Sequence, residues 1–365
     1  MGVREIARLA GLSGAAVSLA LRDSPKVSDA TKRRVRRIAR QAGYRPNARI
    51  AELMAQVRAA RVGQIDGCFG VISLYDHPRP WERSPHLSAI YQSMQRRARE
   101  LGYRLEPVWL AAPGMTRRRI CSVLDARGIE GLISFGSPNL HEEFPSELDH
   151  YAVVTVGLSI KGRIHRVTSH FFGDTIATLE RLSGLGYRNP GLVIGNYEEA
   201  RSGGAHTGAY LSWRQRMRPQ GKTIPILRFD GLDEGRFCAW RERHQPDVVV
   251  FIHTSDVVKE FASLLRREHV DVPGELGVAV LTHLLDGTGF SGMQQNQALI
   301  GAWAVELLVS RVMHRDFGIP ATPHIETVES RWIDGGSLRG ADMRAPAPRA
   351  PTGRAAPGSE AVSEA

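Results

Sequence analysis

Between residues 69 and 314, apolar runs of strand length alternate with amphipathic stretches of helix length, and few architectures accommodate that alternation. The runs are 69–74, 105–110, 131–135, 152–156, 191–194, 248–252 and 278–281. The intervening stretches 88–101, 116–127, 173–185, 204–218, 255–268 and 297–314 carry helical periodicity. Strands joined through helices need crossovers, and crossovers cover a parallel sheet on both faces. ELGYRLEPVWL (100–110) and GLGYRNPGLVI (184–194) share one helix–Gly-Tyr-Arg–strand turn, which predicts two equivalent halves, each a doubly wound sheet. A last strand region is expected within 329–339. Residues 341–365 are rich in Ala, Pro, Gly, Ser and Arg with almost no large apolar side chain, the composition of a disordered tail.

The first 61 residues obey another pattern. They hold 14 Lys and Arg against 4 Asp and Glu, a net of +10, while the whole chain holds 48 against 38, so residues 62–365 balance. A compact basic module on a neutral body is the footprint of a nucleic-acid-binding head, the plainer reading being a solvated charge run. The module is patterned. Residues 4–10 place Ile6, Leu9 and Ala10 on one helical face; Gly11 breaks the helix and Ser13 can cap the next. Residues 14–22 turn Val17, Ala20 and Leu21 inward and leave Gly14, Ala15, Ser18, Leu19 and Arg22 outward. After Pro25, Ser28 can cap a helix over 29–42, with Val35, Ile38, Ala39 and Ala42 inward and Lys32, Arg33, Arg34, Arg36, Arg37 and Arg40 outward. Helix, glycine turn and helix is helix-turn-helix spacing, and the second helix would enter a major groove.

Composition removes other classes. No stretch of about 18 apolar residues is present to span a bilayer, and MGVREIARLAG lacks the apolar core of a secretion signal. Cys68, Cys121 and Cys238 form neither a CxxC nor an even disulfide framework, as expected of reduced thiols in a cytoplasm. The 13 histidines show no metal-ligand spacing, and no GxSxG, Walker or GxGxxG run occurs. No metal, cofactor or enzymatic activity is expected.

The run IARLAGLSGAAVSLAL…VSDATKRRVRRIARQAGYRPN resembles the DNA-binding domain of the LacI/GalR family of bacterial transcriptional regulators. The landmarks are Ala7, Ala10-Gly11, Ser13, Val17-Ser18, Val27-Ser28, Thr31, Val35, Gly43-Tyr44 and Pro46-Asn47. The resemblance implies base contacts from Gly14, Ala15 and Leu19, with Arg22 supplying a donor that Gly14 and Ala15 lack. Relatives often carry long polar side chains there and Arg at the place of Leu19, so direct readout would lean on apolar contacts. Ser18, Ser28, Thr31 and Arg33 would meet phosphates; Ser28 is equally a plain helix cap. Residues 47–57 would form a hinge helix that orders on DNA and wedges Leu53 between base steps, the alternative being an ordinary amphipathic linker.

Over the body the resemblance is looser: the two Gly-Tyr turns, 128–132, Ser169-His170 with Gly173, Ser255-Asp256, Val272-Pro273 and 295–308. It implies a two-lobed, periplasmic-binding-protein-like sensor with a small molecule near the carboxyl ends of the strands. The expected architecture is thus a small all-α helix-turn-helix domain followed by an α/β body of two doubly wound parallel sheets. The expected division is 1–46 head, 47–66 hinge helix and linker, 67–340 sensor, 341–365 tail. Lobe 1 would comprise about 67–165 and 291–319, and lobe 2 about 166–290 and 320–340.

Effector-contact candidates are Tyr75, Trp81, His170, Phe172, Asp256 and Gln295. Aromatic faces and planar polar groups suit a sugar, although Trp81 equally reads as a packed loop aromatic, Asp256 as a helix N-terminal acid, and Phe172 as core before pocket. Ala205 stands where many relatives carry a ligand-gripping Arg, and Thr282-His283 where they often carry an acidic pair. The expected role is a cytoplasmic homodimeric regulator, a repressor of carbohydrate-use genes, whose partners are a double-stranded operator and a sugar-like effector, with no membrane. A sugar-binding protein of transport, or an α/β enzyme with a regulatory head, are the alternatives.

Overall fold

The computed structural model describes residues 3–21, 27–41, 67–140, 142–217, 224–282 and 288–340. The head holds α1 (Val3–Ala10), α2 (Gly14–Leu21) and α3 (Asp29–Gln41). Gly11 adopts φ +60, the left-handed conformation that ends α1: its N–H bonds back to Arg8 O at 3.3 Å, and Leu12 N–H to Ala7 O at 3.0 Å. Ser13 Oγ accepts from Ala16 N at 3.1 Å and so starts α2 at the next residue. The core is Ile6, Ala7, Ala10, Val17, Ala20, Val35 and Ala39, with Leu21 and Ile38 half-buried. Leu9, expected inward, is 49% exposed; the small Ala7 takes its place and lets α1 approach the other two helices closely. Ala42 lies outside the described residues.

The body begins with β1 (Gly67–Ser73), α4 (Pro85–Glu100), β2 (Tyr103–Trp109), α5 (Arg117–Ala126), β3 (Gly131–Ser134), β4 (Ala152–Val156) and β5 (His165–Ser169). It continues with α6 (Phe171–Gly184), β6 (Pro190–Gly195), α7 (Asn196–Arg201), α8 (Ala205–Met217), β7 (Leu227–Phe229), α9 (Glu234–His244), β8 (Val248–Ile252), α10 (Ser255–Arg267), β9 (Gly277–Thr282) and β10 (Ser291–Gln294). Last come α11 (Gln297–His314), β11 (Ile325–Val328) and β12 (Arg331–Ile333). One sheet runs β11-β5-β4-β3-β1-β2, parallel throughout. The other runs β12-β10-β9-β8-β6-β7, parallel except for β12 against β10. These are the two lobes, and two sheets covered by helices is the architecture that the alternation predicted. The shared Gly-Tyr turn recurs as Gly102 at φ +80 after α4 and Gly186 at φ +87 after α6.

The lobe boundaries differ from the expected ones. β5 pairs with β4, which keeps the chain in lobe 1 through Ser169. β10 pairs with β9, which keeps it in lobe 2 through Gln294, and β11 then returns to pair with β5 in lobe 1. All three strands read as polar, so hydropathy alone passes over them. Burial is nonetheless complete along β5, because the Arg166 guanidinium donates to the carbonyls of Ile160, Gly162 and Ile164. The chain therefore crosses between lobes after β5, after β10 and after β11, each time at the carboxyl end of a strand.

Candidate functional site

The carboxyl ends of both sheets face a cleft of about 490 Å³. Lobe 1 supplies Tyr75 after β1, Phe135 after β3, and Thr168 and Ser169 at the end of β5. Lobe 2 supplies Phe171 at the start of α6, Tyr197, Glu198 and Arg201 on α7, and Thr254, Asp256 and Lys259 around the start of α10. Gln295 enters from the second crossover.

Four buried polar atoms on this lining make no hydrogen bond among the described residues: Thr168 Oγ1, Ser169 Oγ, Glu198 Oε2 and Arg201 Nε. Buried polar atoms are rarely left so, and the four residues that carry these share the lining of one concavity. Glu198 is 5% exposed. His253 Nδ1 lies 3.7 Å from its Oε2 but already accepts from Thr254 N at 2.9 Å, which leaves that nitrogen no proton to donate to the carboxylate. Gly195 makes room for both groups: a Cβ there would collide with Glu198 Oε2 and stand 2.8 Å from His253 Nε2. The Arg201 guanidinium sits over the Phe171 ring at 5.2 Å. A carboxylate, a guanidinium and two hydroxyls with aromatic planes beside them can grip a small molecule carrying several hydroxyl groups.

Behind the cleft, Asp174 Oδ2 accepts from Ser330 Oγ at 2.6 Å and Oδ1 from Ser330 N at 3.2 Å, pinning the third crossover to α6. Burial raises the Asp174 carboxyl, against which the Ser330 bonds pull it down. His206 lies deeper, its ring 2.8 Å from Thr175 Oγ1, and burial, seconded by the Arg201 charge, lowers it from 6.5 to about 3. Burial and the neighbouring Tyr197 push the Tyr75 phenol up to about 12, so it is a neutral donor at working pH.

Of the effector-contact candidates, Tyr75, Asp256 and Gln295 line this cleft. Asp256 stands at the rim, its side chain 90% exposed, 3.8 Å from Lys259 and in the first turn of α10, the place of a helix N-terminal acid. Trp81, His170 and Phe172 are not among the lining residues. A 3-10 turn at Pro80–Glu82 folds Trp81 onto Tyr91, rings stacked at 4.0 Å, in the lobe 1 core. His170 sits just before α6, its N–H tied to Val328 O and its ring tucked where a Gly173 Cβ would lie. Phe172 points outward, 43% exposed, and its neighbour Phe171 takes the cleft position, a rotation of about 100° that one residue makes on a helix. Sequence reading missed Tyr197, Glu198 and Arg201. The available signal was a polar helix opening after a glycine at the carboxyl end of an apolar strand, where ligands of open α/β sheets bind. Arg201 thereby supplies a cleft arginine four residues before Ala205.

In the head, Ser28 is a helix cap: its Oγ accepts from Thr31 N at 3.4 Å and lies 2.9 Å from Thr31 Oγ1. Arg33, Arg34, Arg36, Arg37 and Arg40 are exposed on α3, while Lys32 is folded against Asp29 at 3.1 Å, its side chain 13% exposed. Gly14, Ala15, Ser18 and Leu19 fall within α2, but their side chains, with all of Arg22, the 47–57 segment with Leu53, and His283, lie outside the described residues.

Comparison with known proteins agrees with this layout. Residues 3–47 match the family model described as bacterial regulatory proteins, lacI family. The HTH-type transcriptional regulator PtxS of Pseudomonas plecoglossicida is 26% identical over 219 residues, which span 55% of this chain and 60% of that regulator. Among solved structures, the transcriptional regulator CelR–cellobiose complex is similar with a TM-score of 0.55 at 19% identity, over 92% of this chain and 99% of that one. The lac repressor dimer bound to operator gives 0.54 at 14% identity, over 92% and 98%. CcpA of Lactococcus lactis gives 0.56 at 13% identity, over 74% and 99%. At these identities the structural likeness is one of fold.

Proposed function

We propose, from the premise that the chain carries a lacI-family DNA-binding head on a two-lobed sensor body, that it is a transcriptional regulator whose hold on DNA responds to a small molecule in the cleft. The observation that carries the effector half is that Thr168, Ser169, Glu198 and Arg201, each with a buried side-chain atom unbonded among the described residues, line one cavity. Polyhydroxylated ligands fit that set: hydroxyls donate to Glu198, accept from Arg201, and present apolar ring faces to Tyr75 and Phe171. A sugar or sugar derivative is the effector we assign, in keeping with the cellobiose of the CelR complex.

The DNA half rests on the head. Two copies on a two-fold axis would read a near-palindromic operator in the cytoplasm, with Gly14, Ala15, Leu19 and Arg22 at base edges and Ser18, Ser28, Thr31 and Arg33 at phosphates. Leu53 would wedge into the minor groove at the centre. Repression of carbohydrate-use genes follows as the role, the effector biasing one of two lobe arrangements through differential affinity. The test is selection of bound fragments from the source genome by the purified full-length protein. Recovery of a near-palindrome beside carbohydrate-use genes supports the reading. Salt-labile binding that enriches no sequence overturns it.

A further inference from the structure

We infer that Tyr197 is the closure latch of the cleft, a lobe 2 phenol that engages a lobe 1 carbonyl and sets how far the cleft is shut before any effector binds. The Tyr197 hydroxyl donates to Ser137 O at 3.2 Å. Tyr197 belongs to α7, which follows the lobe 2 strand β6, whereas Ser137 follows the lobe 1 strand β3, so the bond spans the cleft. The inference rests on the reading of this cleft as the effector site.

The acceptor is built to hold still. Ser137 N donates to Ser159 Oγ at 2.9 Å, and Asn139 N donates to Ser137 Oγ at 3.0 Å. Gly136, at φ +85, brings the turn so near that a Cβ there would lie 2.5 Å from Ser159 Oγ. The donor is equally constrained: burial raises the Tyr197 phenol, which keeps its proton at any pH where the protein would be used. Tyr197 immediately precedes Glu198 and lies just over one turn before Arg201, on a helix of six residues. An effector gripped by Glu198 and Arg201 therefore pulls on the same short rigid element that carries the latch. That gives occupancy of the cleft and closure of the lobes a shared physical part, as a two-state response requires.

The test uses the full-length protein without effector or DNA, and three variants: Tyr197→Phe, Ser159→Ala, and both together. Hydrogen exchange of segments 134–139 and 195–202 reports local opening, and small-angle scattering reports lobe separation. Tyr197→Phe removes the donor and keeps the ring; losing one neutral hydrogen bond shifts the closed population about fivefold, which appears as a comparable rise in exchange and a larger radius of gyration. Ser159→Ala frees the acceptor turn and opens the same segments. The double variant opens no further than Tyr197→Phe, because Ser159 acts on closure only by holding the acceptor that Tyr197 engages. Unaltered exchange and scattering in Tyr197→Phe, or strictly additive effects in the double variant, overturn the latch. A failed operator selection leaves these measurements intact, so the latch and the regulator reading fail separately.

Discussion

Arg201 and Glu198 face the same cavity from one helix without pairing with each other, and each is placed where water reaches it poorly. In the proposed reading such groups serve a ligand rather than the fold. Once thermal-shift screening of sugars has yielded a binder, Arg201→Ala is expected to weaken it about tenfold to a hundredfold, the range for a hydrogen bond to a charged group. Titration calorimetry checks this, and an unchanged affinity would remove Arg201 from the site. His206 makes a pH prediction. Its folded-state value is depressed to about 3 from 6.5, so the neutral ring is the form that folds. Its contribution to stability is complete above pH 6.5 and is lost progressively as pH falls from there toward 3. Thermal unfolding of the wild type should therefore drop across that window, and His206→Gln should show a shallower drop. Equal slopes would mean other groups govern acid sensitivity.

At the scale of elements, helix starts and stops were well marked in the chain. Gly11, Ser13 and Ser28 are local signals, each satisfied by atoms within a few residues, and the observed α1, α2 and α3 fall within a residue of the expected spans. Gly11→Ala forces a side chain into the left-handed region and is expected to cost about 1 kcal/mol of head stability, visible as faster hydrogen exchange across 3–21. An unaffected head would show the turn tolerates another conformation. On α3, changing Lys32, Arg33, Arg36 and Arg37 together to Ala should flatten the dependence of log K on log salt by about 0.9 for each phosphate no longer neutralised. An unaltered slope would show that this face does not meet the duplex. Strands were read where both faces are apolar, as in β4 and β8, and passed over in β5, β10 and β11 and in the three-residue β7. β5 is buried despite its polar letters because its Arg166 is satisfied by three backbone carbonyls that local sequence does not announce.

At the scale of the whole molecule, the proposed regulator joins a head that meets DNA to a body that closes on a small molecule, through a segment containing Leu53. Leu53→Ala is expected to reduce operator affinity and bend angle sharply while leaving effector affinity within about twofold, since without the wedge the duplex forgoes the added interactions that a kink makes possible. Gel-shift and bend measurements on the recovered operator decide it, and unchanged affinity and bend would dismiss the wedge. What the amino-acid order determined by itself was whatever neighbouring residues settle: a basic three-helix head, capped and turned by its own glycine and serines, and a body of alternating strands and helices in two similar halves. Which residues meet in the cleft was decided only by the tertiary structure. Three crossovers bring together side chains far apart in the chain, and one residue of helical rotation puts Phe171 inside and Phe172 outside. Periodicity records which face of an element is apolar; the pairing order of the strands, which depends on interactions between distant segments, decides what that face meets.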